Sequence, residues 1–455
     1  RINLGIFAVG MVAQTLRVDS WRCCTTAKPS CGVCRRARLG RFRVRSSFVD
    51  NTCGLWSDAG RHRPCGCVER EKEMENGELN ILLSEEFGAE VERNITRDPN
   101  AIALDRRVPN ARLVATQVNY LGRAAKKLPT YYASRAILPS LAFEQSSSEE
   151  CAAHKPFSGK LAVDLTCGLG VDTLYLSKRF ERVVSIERNP TLAAITRHNL
   201  RLMGTENVEI VCGDSEEFVS ALDHADLIYA DPDRRSAEGK KLVCLEDCSP
   251  NIATLLPLLK TKTEALVVKL SPMFDTKEAL VAFGEGTSVE VVSLGGEVKE
   301  VVVQWTKEHS AATITATALG CDSFSVAAKR EPLTKGGEFN PSLYTHLVVP
   351  DAALRKAGIV GEWCQKEGLE NFGAYAFATS RPTTSMGHIY NIGEVHPWQP
   401  KRLKRLVGDK IEIIRHSFPL STAAICKTLG VKEGAGDKWA FVEEHHNLWA
   451  MKIND

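Results

Sequence analysis

The chain has 455 residues, of which 44% are hydrophobic and 25% charged, a balance that supports two to four globular domains with their own cores. No stretch approaches the ~20 consecutive apolar residues of a membrane-spanning helix, so no membrane partner is expected. A formal net charge of +2 excludes a chain that grips nucleic acid by overall charge alone.

The leading segment differs from the rest. Residues 1–73 carry 14 Lys and Arg against 6 Asp and Glu, and they hold Cys23, Cys24, Cys31, Cys34, Cys53, Cys65 and Cys67. A metal module would use Cys31-x-x-Cys34 with a second such pair, but Cys65-Gly-Cys67 is too tight to supply it. An organelle presequence would be Arg-rich and acid-poor, as this segment is. The favoured reading is a non-native extension, with the working protein opening at Met74 and no metal site. The eight later cysteines are scattered, which suits a reducing, cytoplasmic protein.

Residues 74–154 read as a helical region. Leu79, Leu82, Leu83 and Phe87 share one face, and the polar string from Glu144 to Glu149 has helix-capping ability. Residues 155–330 read as an α/β domain. Leu161 to Leu165, Val183 to Ile186, Val208 to Val211, Leu227 to Ala230 and Ala265 to Leu270 are buried strands separated by helices such as Thr173 to Phe180 and Thr191 to Met203. That alternation predicts right-handed crossovers and a parallel, Rossmann-like sheet. Val289 to Leu294 and Val298 to Trp305, joined through Gly295-Gly296, predict a terminal antiparallel hairpin. A small α/β segment is expected at 341–385. A last unit at 386–455 has strands near His388 to Val395, Ile411 to His416 and Trp439 to Val442, with helices near Gln399 to Val407 and Ser421 to Leu429.

The sharpest chemical signal is Val163-Asp164-Leu165-Thr166-Cys167-Gly168-Leu169-Gly170-Val171-Asp172-Thr173, a strand running into a glycine turn and a helix. Gly168 and Gly170 let the backbone approach a ligand closely. Glu187 ends the second strand, where a carboxylate can accept both hydroxyls of a ribose, with Arg188 beside it. Asp214 and Ser215 follow the third strand and can face an adenine. Each acid alone is as readily a helix cap, but three at successive strand ends point to a nucleotide-like cofactor. Thr173 stands where a dinucleotide turn has its third glycine. With the hairpin, this favours S-adenosylmethionine over nicotinamide or flavin. The cofactor candidates are thus Asp164, Thr166, Gly168, Gly170, Asp172, Thr173, Glu187, Arg188, Asp214, Ser215 and Asp231.

The fourth strand ends in Asp231-Pro232-Asp233-Arg234-Arg235. Methyltransferases acting on planar nitrogens place an Asp/Asn-Pro-Pro-aromatic turn there. Asp231-Pro232 fits it, but the aromatic is missing and an acid and two arginines follow. Asp231, Pro232 and Asp233 are the catalytic candidates, Asp231 or Asp233 taking the departing proton. Arg234 and Arg235 suit a phosphate or carboxylate, and Lys269 borders the same rim. A structural ion network is the competing reading for these charges. Attack at a pyrimidine C5 would need a thiol on this loop. Cys244 and Cys248 come a helix's length later and read as packing residues. Lys401, Arg402, Lys404 and Arg405 follow Trp398, and Arg415 and His416 lie on the next strand. The cluster can contact phosphates or form a solvated face.

Five motifs in order are similar to the bacterial class I methyltransferases that carry a carboxy-terminal THUMP-like domain. They are Glu144-Gln145-Ser146-Ser147-Ser148-Glu149, the turn from Asp164 to Thr173, Asp231 to Arg235, Lys269-Leu270-Ser271-Pro272 and Gly296-Glu297-Val298-Lys299-Glu300. The resemblance runs from about Leu79 to the end. It implies a helical lead-in packed on the catalytic domain with Gln145 near the methionine end of the cofactor, a ferredoxin-like segment at 341–385 and a THUMP-like domain at 386–455. By analogy it implies an RNA substrate. Cys167 stands where a glycine is expected and Asp233 where a small residue is. The resulting expectation is methylation of a base nitrogen in tRNA or rRNA. The alternatives are a protein or small acidic acceptor, and an RNA-binding protein with a relic cofactor site.

Overall fold

The computed structural model describes residues 77–234, 245–308, 311–330 and 339–455. The leading segment 1–73 with its Cys31 and Cys34, Met74, Arg235, Cys244 and residues 331–338 lie outside these ranges. No described helix is long and apolar enough to cross a membrane.

Short helices run through residues 85–154, the longest being Ala111–Lys127. It buries Val114, Val118 and Leu121, an i, i+4, i+7 stripe that gives the helix one apolar face. The core under that face also takes in Leu169, Leu174 and Leu200, so the helical lead-in packs on the turn and helices of the domain that follows. In the polar string, Gln145 ends the helix Ser140–Gln145, and Ser148 Oγ caps Glu149–His154 by accepting the Cys151 N–H.

The first sheet begins with β1 (Gly159–Asp164), β2 (Phe180–Glu187), β3 (Val208–Cys212) and β4 (Ala225–Ala230). A two-residue pair follows, β5 (Asp233–Arg234) with β6 (Cys248–Ser249). The sheet then continues through β7 (Thr263–Leu270), β8 (Thr287–Leu294), β9 (Glu297–Thr306), β10 (Thr313–Ala318) and β11 (Asp322–Ala327). Its order is β11-β10-β8-β9-β7-β4-β1-β2-β3. The run β7-β4-β1-β2-β3 is parallel throughout, as expected for strands joined by helical crossovers. The carboxyl ends of those strands therefore share one rim, where Asp164, Glu187, Cys212, Ala230 and Leu270 stand.

The predicted hairpin β8–β9 is present, but it is not the edge of the sheet. β10 adds parallel to β8, and β11 closes antiparallel on β10. β8 buries Val289, Val291 and Val292, which suits an internal strand, whereas β11 alternates with exposed residues as an edge strand does.

A second sheet holds β12 (His346–Pro350), β13 (Glu370–Phe372), β14 (Tyr375–Ala378), β15 (Gly387–Pro397), β16 (Lys410–Arg415), β17 (Lys432–Glu433), β18 (Asp437–Glu444) and β19 (Asn447–Asn454). Their order is β13-β14-β12-β15-β19-β18-β16-β17. β15 is 11 residues long and pairs with β12 on one side and β19 on the other. The segments 341–385 and 386–455 thus share one continuous sheet. The helices Ala352–Ala357 and Val360–Glu367 bury Leu354 and Trp363 in the same core as Val289 and Ile314 of the first sheet.

Candidate active site

The turn after β1 is built by glycine. Gly168 and Gly170 have φ of 53° and 80°, left-handed values that cost a side-chain-bearing residue strain. A Cβ on Gly170 would lie 2.6 Å from Thr196 Cγ2, so the helix Pro190–Leu202 seats directly against it. A Cβ on Gly168 would meet only Thr166 O, at 3.9 Å. Its backbone is open to the cleft.

Asp164 and Thr173 lie beneath the turn rather than in the cleft, both almost fully buried. Asp164 Oδ1 accepts the Thr166 N–H at 2.9 Å and Oδ2 accepts the Thr173 hydroxyl at 2.6 Å. The Thr173 hydroxyl also meets Ser185 Oγ at 2.8 Å. Burial pushes the Asp164 carboxyl up to about 6, against the hydrogen bonds from Thr173 and Thr166. The pair ties the turn to the sheet from below, so neither side chain is placed to touch a cofactor.

The other rim acids do face the hollow. Glu187 takes one backbone N–H on each oxygen, from Gly168 at 2.9 Å and from Asn189 at 2.8 Å. Burial raises its carboxyl above the usual value, and those two N–H groups oppose the shift. Asp214 caps the helix Ser215–Ala221 through Oδ1, which accepts Glu216 N–H at 2.8 Å and Glu217 N–H at 3.2 Å. Its exposed side chain lines the cleft as well. Ser215 Oγ donates to Leu165 O at 2.6 Å, fastening the start of that helix to the first turn.

Asp231 follows β4. Its N–H donates to Thr166 Oγ1 at 2.6 Å, which locks the loops after β1 and β4 together. Its carboxylate is ion-paired with Lys269 on β7, and Lys269 Nζ also donates to Ser147 Oγ at 2.8 Å. Lys269 is therefore committed to Asp231 and mostly buried, not free to meet a substrate as the sequence suggested. Burial works against its charge, but Asp231, Asp172 and Glu300 hold the ammonium well above its ordinary value.

Sequence reasoning missed what lies behind this pair. Ser147 Oγ donates to Asp172 Oδ2 at 2.8 Å, and Asp172 Oδ1 accepts from Lys155 Nζ at 2.8 Å. Lys155 also lies 3.3 Å from Glu300 Oε1, and its ammonium sits 5.6 Å from the centre of the Tyr229 ring. Burial opposes the charge on Asp172, yet Lys155 and Lys269 hold its carboxyl down to about 2. Asp172 is thus the hub of an ion network under the cleft. Lys155 could have been found only through its fold neighbours, because in sequence it is a lone lysine after a helix.

These elements enclose a cleft of about 650 Å³, a volume typical of small-molecule sites. Gln145, Thr166, Gly168, Gly170, Asp172, Glu187, Arg188, Asp214, Ser215, Asp231 and Asp233 line it, and Asp164, Thr173, Pro232 and Lys269 do not. Leu79, Leu82, Leu113 and Leu141 of the lead-in supply an apolar wall. Arg188 Nη1 donates to Ser249 Oγ at 3.1 Å, and the β5–β6 pair brings Cys248 beside Arg234 in the chain trace. Cys248 is buried and does not line the cleft. Among the described residues the cleft cysteine is Cys167, itself buried, with its thiol pushed far up by burial. Lys401, Arg402, Lys404 and Arg405 are all exposed. Only Lys401 and Arg402 sit on the short helix Pro400–Leu403, and none of the four forms an ion pair among the described residues.

The parallel run with its open rim, the glycine turn and the acids at successive strand ends define a class I methyltransferase. Residues 159–234 match the family described as RNA cap guanine-N2 methyltransferase, and residues 387–447 match the THUMP domain-like family. An uncharacterised S-adenosylmethionine-dependent methyltransferase of Mycobacterium tuberculosis is 27% identical over 257 residues, covering 54% of this chain and 67% of its own. A tRNA/tmRNA (uracil-C(5))-methyltransferase of Neisseria meningitidis is 31% identical over 151 residues, covering 28% of this chain and 41% of its own. A solved methyltransferase candidate from Porphyromonas gingivalis W83 superposes with a TM-score of 0.68 at 24% identity, over 81% of this chain and 96% of that one. The chain is an S-adenosylmethionine-dependent class I methyltransferase with a carboxy-terminal THUMP-like domain.

Proposed function

We propose that the chain methylates a nitrogen on an RNA base, with the base presented to the Asp231-Pro232 turn. The observation that carries this reading is the convergence of Gly168, Glu187, Asp214 and Asp231 on one cleft. The residues suit the cofactor. Each Glu187 oxygen accepts a single backbone N–H, and a carboxylate offers about four lone-pair positions, so both oxygens can still accept a ribose hydroxyl. Asp214 keeps Oδ2 for an adenine edge, and Gly168 and Gln145 border the methionine end. When bound, S-adenosylmethionine supplies an electrophilic methyl group.

The chain's own residues would then orient the acceptor. Asp231 is fixed through its backbone by Thr166 and through its carboxylate by Lys269, so its remaining acceptor capacity can hold an amine N–H. Aiming a lone pair in this way removes much of the orientational cost of the reaction. Asp233, exposed at the lip of the cleft, is the second carboxylate for the proton the nitrogen releases. Among the described residues nothing supports pyrimidine C5 chemistry, which needs a thiolate, because Cys167, the cysteine that lines the cleft, is held as a buried thiol. The names of the RNA-acting relatives and the THUMP-like match support RNA as the acceptor, and a cytoplasmic setting completes the reading.

Incubation with methyl-labelled cofactor and total RNA should give label that nuclease removes. Label that survives nuclease but not protease would instead assign a protein acceptor and sink the RNA reading. Glu187→Ala should weaken binding of S-adenosylhomocysteine by on the order of tenfold to a hundredfold, the cost of losing a charged hydrogen-bond acceptor. Calorimetric titration measures it directly, and an unchanged affinity removes Glu187 from the site.

A further inference from the structure

Arg355, Arg415 and His416 meet where the second sheet adjoins the first. Arg355 lies on the helix Ala352–Ala357, which packs against β8 and β10. Arg415 ends β16, and His416 follows it. Arg355 Nη1 is hydrogen-bonded to His416 Nδ1. The backbone N–H of His416 donates to Tyr375 Oη at 2.9 Å, and that hydroxyl donates to Phe441 O at 3.2 Å. Arg415 is steered by Thr422 Oγ1 at 3.3 Å and Phe418 O at 3.4 Å.

Two positive side chains thus act on the same imidazole, Arg355 bonded to it and Arg415 preceding it in the chain, and neither has a carboxylate within ion-pair distance among the described residues. The acid closest in influence to Arg355 is Asp351. Its Oδ1 is already shared by Ser293 Oγ at 2.5 Å and Ala353 N–H at 2.8 Å. Arg355 Nε is buried with no hydrogen-bond partner. Burial and the two guanidiniums push the His416 imidazole down to about 4, so it is neutral. With Nδ1 accepting from arginine, its proton sits on Nε2, which makes it a further donor. A partly buried cation without a counter-charge is costly, and a group with several acceptor oxygens would relieve that cost.

We propose that Arg355, Arg415 and His416 form a cradle for one phosphate group of the nucleic-acid acceptor. The proposal rests on the RNA reading above and adds to it a second contact point outside the cleft. Its position fits. The Ser293–Asp351 hydrogen bond sets the start of the Arg355 helix at the carboxyl end of β8, on the rim that carries Asp231. In the sheet order, β8 is three strands from β4, roughly 15 Å along that rim at the usual strand spacing. On its other side the cradle leads toward exposed charge. Phe418 packs on Trp398, with ring centres 5.4 Å apart, and Lys401, Arg402, Lys404 and Arg405 follow Trp398 in the chain. An acceptor gripped by that basic stretch and by the cradle would reach the cleft along one edge of the molecule.

The test uses the full chain and two probes. The first is a fluorescein-labelled 20-nucleotide RNA hairpin titrated at several salt concentrations, with wild type compared with the Arg355→Gln/Arg415→Gln variant. The variant should bind roughly tenfold or more weakly, as loss of charge-assisted hydrogen bonds implies. Its plot of log affinity against log salt should be shallower by about one, the contribution of one neutralised phosphate. Unaltered affinity for S-adenosylhomocysteine shows that the variant is folded, and Arg355→Lys/Arg415→Lys should recover part of the salt slope. The second probe is orthophosphate, which should raise the melting temperature of wild type above that in chloride of equal ionic strength, and should not do so in the glutamine variant. Orthophosphate protection without hairpin binding keeps the phosphate cradle, assigns it to a free phosphate and rejects the RNA reading. Measurable hairpin binding with equal affinity and salt slope in wild type and variant, or orthophosphate protection that is absent from wild type or equal in the variant, overturns the cradle.

Discussion

Asp231→Ala should lower methyl transfer by roughly a hundredfold to ten-thousandfold, the range for removing a positioned acid–base group, and should leave affinity for S-adenosylhomocysteine nearly unchanged. The split follows from how the residue is held. Thr166 holds its backbone, and alanine retains that N–H, so the loop that borders the cofactor keeps its place. The carboxylate alone is lost. Lys269 keeps Ser147 as a partner and stays close to Asp172 and Glu300, which limits the damage to the fold. Asp231→Asn retains an oxygen acceptor but loses the charge that pairs with Lys269, so it should fall between alanine and wild type. Label transfer under single-turnover conditions gives the comparison. Wild-type rates in Asp231→Ala would remove the residue from the chemistry.

Lys155→Met is expected to destabilise the protein by about 3–5 kcal/mol, the usual cost of stripping one partner from a buried ion pair. Methionine nearly matches the length of lysine, so the loss measures charge rather than packing. Lys155 is only 5% exposed, between Asp172 at 11% and Glu300 at 3%, and without it both carboxylates face each other with Lys269 alone to offset them. The pH dependence gives an independent check. Asp172 titrates near 2 in the fold against 3.8 when unperturbed. Its contribution to stability is therefore complete above about pH 4 and is lost as pH falls toward 2. In Lys155→Met that acid limb should flatten. Urea melts between pH 2 and pH 7 measure both effects, and a loss below about 1 kcal/mol at pH 7 would show that the network carries little of the stability. Asp172→Asn in the Lys155→Met background should recover part of the loss, because the two residues are directly coupled.

The parallel half of the first sheet was readable because each buried strand is a short β-branched run set off by a helical period, and the two patterns do not resemble each other. The site was readable for a related reason. In such a sheet chemistry gathers at strand ends, so Glu187, Asp214 and Asp231 could be placed by counting strands. Asp164 misled for the same reason. It stands at a strand end, but it points beneath the turn to Thr173, and direction within a turn is not encoded by position along a strand. For Lys269 the sequence left a substrate contact and an ion pair both open, because the partners that decide it, Asp231 and Ser147, come from distant parts of the chain. The last strand, β19, was missed because its hairpin turns through His445 and His446 with φ of 48° and 67°. Those left-handed positions usually announce themselves as Asn-Gly or Asp-Gly. The joining of 341–385 and 386–455 into one sheet depends on β15, whose two pairing edges look alike in sequence.

A crystal of the full chain grown with S-adenosylhomocysteine tests the central claim most directly. The account predicts the ligand in the cleft between the loops after β1, β2, β3 and β4, with its ribose hydroxyls on Glu187 and its sulfur turned toward Asp231. A ligand bound elsewhere, or bound there with Glu187 making only its bonds to Gly168 and Asn189, would contradict it.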